Sequence, residues 1–289
     1  MTASVFLAGP ASWNRMVLLD RLPEPVPHMQ FAEASWETVG GTSAGKALAL
    51  SALGRSAVLH AVAGPDEDGR RVRAALEAAG VVAQWTDGTT ERHLNLMTRK
   101  GERVSLYLSA PAETAGAGDS VRAAEMAAAD AVVLDLAAEP RRLLPLAAAS
   151  GTPLWVDVHD YDGVDGYHRP FLDAAAAVFC NADRLSAPVE FLRAVIAGGA
   201  AFAVCTLGAA GAVAVGTDGI ELRVPALPAT VVDTNGAGDA FFAGVLDARL
   251  RGADLASALS AGARSAAGVL GTRHLHPLLD AVLGDPRVS

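Results

Sequence analysis

Asp233-Thr-Asn-Gly-Ala-Gly-Asp239 decides the reading of this chain, because a helix-period apolar run, Ala240-Phe-Phe-Ala-Gly-Val-Leu246, follows it at once. Phe241, Val245 and Ala248 fall on one stripe, Phe242 and Leu246 widen it, and Gly252 is a natural stop. The pattern puts the backbone N–H groups of Gly236, Ala237 and Gly238 at a helix N-terminus, where free donors and the helix dipole hold an anion. Asp239 then sits beside that anion, placed to accept a proton from a hydroxyl attacking a phosphoryl group. Asn235-Gly236 is also a hairpin-turn dipeptide, and Asp commonly caps helices. A hairpin needs an alternating strand after the turn, whereas residues 240–250 are spaced as a helix. Capping gives no reason for the two glycines or for Asp233. Phosphoryl transfer does.

Composition removes other classes. With 51% apolar and 19% charged residues over 289 positions, the chain is globular and long enough for a substantial core. A net charge of -9 argues against nucleic acid or an anionic membrane as partner, since both are gripped by clustered Lys and Arg. A nucleotide, needing only a local site, stays open. Cys180 and Cys205 lie in apolar strand-like runs and read as core residues of a reducing, cytoplasmic compartment. No basic leader with a long apolar stretch opens the chain. The uncharged segment from Ala194 to Thr217 is long enough to span a membrane. Gly198, Gly199, Gly208, Gly211 and Gly216 divide it into a helix end, a strand, a turn and a second strand, so it reads as buried sheet.

Short apolar runs at Val5–Ala8, Ala57–Val62, Ala131–Leu134, Leu154–Val158, Ala177–Phe179 and Phe202–Thr206 have the character of parallel strands. Helical patterns lie between them at about 42–53, 66–79, 119–128, 139–150 and 188–197. The alternation predicts an α/β protein with a doubly wound sheet. Two regions break it: residues 15–38, interrupted by Pro23, Pro25 and Pro27, and residues 90–110, two strands around Lys100-Gly101-Glu102. They are expected to form a small β lid over the main body, all within one domain spanning 1–289.

Gly40-Gly-Thr-Ser-Ala-Gly45-Lys46-Ala47 nearly satisfies the P-loop pattern, with Asp135 and Asp157 as acidic strand ends downstream. Ala47 replaces the hydroxyl that would bind the metal, and residues 34–39 make a poor buried strand. The better reading is a Gly-Gly turn opening a helix, its backbone close to a ligand.

Together these stretches bring a family into view. The chain resembles the ribokinase-like (PfkB) carbohydrate kinases over nearly all its length. Residues 233–241 are similar to the family's C-terminal signature, and Gly40-Gly41 with the helix to Leu53-Gly54 to its N-terminal one. Gly64-Pro-Asp-Glu-Asp-Gly69-Arg-Arg and Thr206-Leu-Gly208-Ala-Ala-Gly211 resemble two further elements, in the right order. The resemblance implies an α/β/α sandwich with a mostly parallel sheet and a β lid, using ATP and Mg²⁺ to phosphorylate a sugar or polyol hydroxyl. It makes Asp239 the catalytic base and Gly236, Ala237 and Gly238 the anion hole. Asn181, Thr206 and Gly208 fall on the nucleotide side, and Asp183 and Asp233 near the metal, through water. A monovalent cation such as K⁺ beside the anion hole, and a homodimer through the lid, are further expectations.

Substrate positions depart from the family pattern. Its sugar-gripping aspartate is Asn14 here, which loses the charge-assisted bond, and its Gly-Gly-x-x-x-Asn has Gly45 in the Asn position. Its Asn-x-x-Glu appears as Asn181-Ala-Asp-Arg184, and Arg264 falls where a late helix often has Asn. Gly40, Gly41, His93 and Asn95 complete the candidate substrate side, the last two alternatively solvated lid residues. Asp157, His159, Asp160, Asp162, Asp165 and His168 read as a polar loop, and His274 and His276 as an exposed turn. An altered sugar grip also admits a nucleoside kinase, or a non-catalytic sensor descended from such an enzyme.

Overall fold

The computed structural model describes residues 4–284. Nine strands form the main sheet: β1 (Ser4–Ala8), β4 (Ser56–Ala63), β5 (Ala83–Asp87), β8 (Ala131–Leu134), β9 (Leu154–Asp157), β10 (Ala177–Asn181), β11 (Phe202–Thr206), β12 (Ala212–Gly216) and β13 (Glu221–Val224). Their spatial order is β13-β12-β11-β10-β9-β8-β1-β4-β5. The pairs from β11 through to β5 are parallel; β12 and β13 pair antiparallel at one edge. Ala131–Leu134 and Phe202–Thr206 are strands over the very residues the apolar runs mark.

Strand side chains alternate between two buried faces. Val5 and Leu7 point to a core shared with α1 (Thr42–Ala52), α2 (Glu67–Ala78), α7 (Ala237–Leu250) and α8 (Leu255–Val269). Phe6 and Ala8 face the opposite core, with α3 (Asp119–Ala128), α4 (Ala138–Ser150), α5 (Arg169–Ala174) and α6 (Pro188–Ala197). A short α9 (Asp280–Leu283) follows. Burial on both faces is why these strands are continuous apolar runs, each fully covered leucine contributing about 2 kcal/mol. The uncharged 194–217 segment is the end of α6, then β11, a turn and β12. No helix among the described residues is long and apolar enough to cross a membrane.

A second sheet, in the order β3-β2-β6-β7, is the lid: β2 (Ser12–Leu19), β3 (Ala34–Gly40), β6 (Glu91–Thr98) and β7 (Arg103–Ser109). The proline-interrupted region is thus a loop of residues 20–33 between two regular strands, and pairing begins at Ser12, ahead of the expected boundary. Residues 34–40 do form a strand, but in the lid and not in the main sheet. β7 is an edge strand with Val104, Leu106, Tyr107 and Leu108 exposed.

Candidate active site

β1 lies at the switch point of the sheet, with β8 on one side and β4 on the other, so a crevice opens at the strands' C-terminal ends. Gly9 follows β1, Asp135 follows β8, Asp157 ends β9, Asn181 ends β10 and Thr206 ends β11. Asp135, Asp157, Asn181 and Thr206 thus lie along this one edge of the sheet.

The 233–239 stretch builds the tip of α7. Gly236 is its N-cap at φ 79°, and a Cβ there would lie 2.3 Å from the Leu275 carbonyl oxygen, so only glycine fits. The first amide bonded to the helix itself is that of Ala240, donating to Gly236 O at 2.9 Å. Ala237 N–H reaches Thr234 O at 3.3 Å, while Gly238 is exposed at the surface. The tip therefore opens outward at Gly238, at the positive end of the dipole, while the Ala237 amide is engaged with Thr234 O. Asp239 is in the first turn and buried. The rest of α7 is not the one-stripe helix its spacing suggests: residues 239–247 are all buried, because α1, α8 and the sheet enclose them.

Asp239 is not alone. Lys46, on α1, is completely buried, and its ammonium donates a hydrogen bond to Asp239 Oδ1 at 3.0 Å. The same Nζ lies 2.9 Å from Asp135 Oδ1 and 3.4 Å from Asp157 Oδ2. Ser43 Oγ donates to Asp135 Oδ2 at 2.6 Å, and the His159 amide to Asp157 Oδ1 at 3.0 Å. Phe242 covers the ammonium with its ring, 4.9 Å from the centroid. Burial alone would depress Lys46, but Asp135, Asp239 and Asp157 outweigh it and raise its pKa. Burial pushes Asp239 up to about 6; Lys46 and His159 pull it down, and Asp135 and Asp157 push it up. Asp157 is held below the usual range: burial opposes this, but His159 and Lys46 prevail.

This cluster agrees with the rejection of the P-loop reading and corrects one expectation. Lys46 is not a phosphate-reaching P-loop lysine, since three carboxylates surround it inside the protein. Asp157 is not part of a solvated loop. The remainder of that loop is polar and turn-forming, with Asp162 accepting the amides of Val164 and Asp165. Among the described residues no group of three or more His, Cys, Asp or Glu could hold a metal ion.

Gly40 and Gly41 join the lid to α1. A Cβ on Gly40 would lie 2.0 Å from Asn14 Nδ2, and one on Gly45 would lie 2.5 Å from Asp239 Oδ2. Gly45 is therefore packed against the acid itself. Asn14 and His93 are register partners on β2 and β6, and Met16 and Asn95 are the next such pair on that face. Asn14, His93 and Asn95 are all buried, so the last two are not solvated. His93 Nε2 meets Glu91 Oε1 at 2.8 Å, and Asn95 Oδ1 accepts from Ser105 Oγ at 2.6 Å. Asn14 Oδ1 is buried with no hydrogen-bond partner. A small recess beside them is lined by Gly9, Ala11, His60, Glu91 and Glu139.

Asn181 and Thr206 are register partners on β10 and β11, with Gly208 exposed just beyond. Asn181 Oδ1 accepts the amide of Asp183, whose side chain is exposed. Asp233 is buried; burial raises its carboxyl, against the Asn235 amide and Arg103. Arg103 comes from the lid, 3.4 Å from Asp233 Oδ1 and 3.2 Å from Asn235 Oδ1. Asp233 Oδ2 is left without a partner. Arg264 is exposed on α8. His274 and His276 are buried, not in an exposed turn: His274 bonds Thr38 Oγ1 at 2.9 Å and Gly284 O at 2.8 Å.

Residues 20–277 match the pfkB family of carbohydrate kinases. The chain belongs to that family. This pfkB kinase is 30% identical over 266 residues to the acarbose 7(IV)-phosphotransferase of an Actinoplanes species, covering 90% of this chain and 89% of that one. A microbiome-derived acarbose kinase of known structure is 30% identical, with a TM-score of 0.80 over 98% of this chain and 99% of that one. Arabidopsis thaliana ribokinase, complexed with ribose and ATP, is 19% identical with a TM-score of 0.78 over 99% and 97% of the two chains, which shows the shared fold. As a carbohydrate kinase, this pfkB protein carries out ATP-dependent phosphorylation of a sugar hydroxyl.

Lys46 and the pairing of Asp135 with Asp157 around it were not foreseen. One signal existed: Lys46 is the single charge in the otherwise uncharged stretch 42–54. A lone charge in an apolar helix marks a buried ion pair or an error of assignment.

Proposed function

We propose that Asp239 is the general base for transfer of the ATP γ-phosphoryl group to a carbohydrate hydroxyl. The acceptor oxygen bonds to phosphorus as the bond to the ADP oxygen breaks, and the electron pair leaves with ADP. The acceptor's proton passes to Asp239 and then to solvent. The amides of Gly236, Ala237 and Gly238 hold the charge on the moving phosphoryl, where such a preorganised donor is typically worth about 3 kcal/mol in the barrier. The observation that carries this reading is a buried carboxylate in the first turn of a helix whose tip opens outward.

Asn14, His93 and Asn95 grip the sugar from the lid, with Gly40 and Gly41 beneath it. The unpartnered Asn14 Oδ1 supports this, because a buried acceptor without a donor is costly unless a ligand supplies one. Asn181, Thr206 and Gly208 flank the nucleotide. Mg²⁺ would reach Asp233 and Asp183 through water and neutralise charge on the phosphates. The unpartnered Asp233 Oδ2 suits such a water. A monovalent cation belongs to the same reading and is tested by exchanging K⁺ for Na⁺ in the assay.

The acceptor class we infer is a small oligosaccharide or related polyol, with acarbose as the first probe because two relatives act on it by name. ADP release across acarbose, ribose, adenosine and inosine tests the assignment. Turnover confined to the nucleosides would replace it with a nucleoside kinase, and silence with tight binding would replace it with a sensor. A dimer through the exposed β7 strand is part of the proposal, checked by sedimentation, as is a cytoplasmic site of action, which the two free, buried cysteines favour.

A further inference from the structure

We propose that Lys46 is a positioning residue for Asp239: it holds carboxylate oxygen Oδ1 and so presents Oδ2 to the acceptor hydroxyl beside the backbone of Gly45. The inference rests on the reading of Asp239 as base.

Three observations converge on it. The ammonium donates a hydrogen bond to Asp239 Oδ1 at 3.0 Å, with Asp135 Oδ1 at 2.9 Å and Asp157 Oδ2 at 3.4 Å holding it from the other sides. Lys46 in turn cannot wander. It is wholly buried, Ser43 fixes Asp135, the His159 amide fixes Asp157, and the Phe242 ring caps the ammonium. Finally, Oδ2 occupies the volume a side chain at Gly45 would fill, since a Cβ there would come within 2.5 Å of it. The glycine makes room and the lysine draws the acid into it. An apolar side chain at position 46 would fill the same space but would neither orient the carboxylate nor keep it ionised.

Asp239 is faced by Lys46 from α1, Asp135 from the end of β8, and Asp157 and His159 from the end of β9 and the turn after it. These groups set the pH response, so the test reads kcat/KM against pH. Lys46→Met, Asp135→Asn and the double variant Lys46→Met/Asp135→Asn are compared with wild type, and ATP binding is measured on each. The double variant removes one charge of each sign and guards against a folding defect in the single one. In Lys46→Met the acid limb is expected to move up by about one pH unit or more, because an adjacent cation normally lowers an Asp by that much, and in the double variant to move up by less, because losing the Asp135 charge acts the other way. Their kcat should fall about 10²-fold with ATP affinity kept. In Asp135→Asn the limb is expected to move down.

An acid limb at or below the wild-type position in the folded Lys46→Met/Asp135→Asn protein overturns the inference, as does an unmoved limb in Asp135→Asn. Asp239→Asn separates the two levels. Wild-type turnover in that variant removes the base itself, whereas a dead Asp239→Asn with an unmoved limb in the Lys46 variants removes only the role of Lys46.

Discussion

Gly45 and Asp239 share one space: a Cβ built on the glycine would lie 2.5 Å from Asp239 Oδ2 and 2.9 Å from both Cβ and Cγ of that residue. The carboxylate thus lies where the family pattern places an asparagine side chain.

Gly45→Ala is accordingly expected to displace the base by a few tenths of an ångström or more. A misplacement approaching 1 Å typically costs about 10²-fold. Steady-state kinetics should show the loss in kcat, with nucleotide affinity unchanged. Full kcat in a folded Gly45→Ala protein would contradict the packing described.

The raised Asp239 predicts two pH effects of known sign. The proposed base must be ionised to work, so kcat/KM should fall below pH 6 with unit slope. For stability, the fold disfavours the charged form, and that cost is present above pH 6 and absent below the ordinary value of 3.8. Asp239→Asn should thus raise the melting temperature at pH 8, by the equivalent of about 2–3 kcal/mol. The gain should vanish as pH falls toward 4. A variant that is less stable at pH 8 would reverse the assigned direction.

Arg103 links the lid to the loop ahead of α7 through Asp233 and Asn235, and its side chain is 32% exposed. Asp233 is buried, but at 3.4 Å and with Arg103 part-exposed the pair is expected to add only about 1 kcal/mol to stability. Arg103→Ala should leave the melting temperature nearly unchanged while raising KM for the sugar, because the lid loses its hold on the loop. Equal KM values in both proteins would show that this contact has no part in closing the site.

Arg55 and Asp247 form a buried pair remote from the α7 tip, with Nη2 to Oδ1 at 2.6 Å and Nε to Oδ1 at 2.8 Å. Among the described residues, Arg55→Met leaves Asp247 with the exposed Arg251, 2.9 Å away, as its ion-pair partner. The expected cost is about 3 kcal/mol in denaturant unfolding, with kcat of the folded fraction unaltered.

The main sheet could be read from the chain because each parallel strand is buried on both faces and so announces itself as a local apolar run. The lid could not be read fully. β2 takes its partner β6 from about 80 residues away, and its residues Ser12 to Asn14 are buried without alternation, so no period marks the strand. The start of α7 was legible because its glycine N-cap and first-turn aspartate fall within seven consecutive positions. The Lys46 cluster was not, since its carboxylates lie 89, 111 and 193 positions further on, and only the fold brings them together. His274 and His276 were misjudged for the same reason: polar residues near a chain end read as surface until Thr38 and the Gly284 carbonyl appear beside them.

Three acids around one ammonium leave surplus negative charge wherever the freshly made phosphate ester comes to rest. With Asp239 as the proposed base, the esterified sugar is expected to be pushed outward by these acids, and sugars that arrive already phosphorylated to meet the same repulsion. Inhibition by the reaction's own ester should therefore deepen as pH drops below 6 and Asp239 gains its proton; an inhibition constant flat across that range would show that turnover clears the ester by other means.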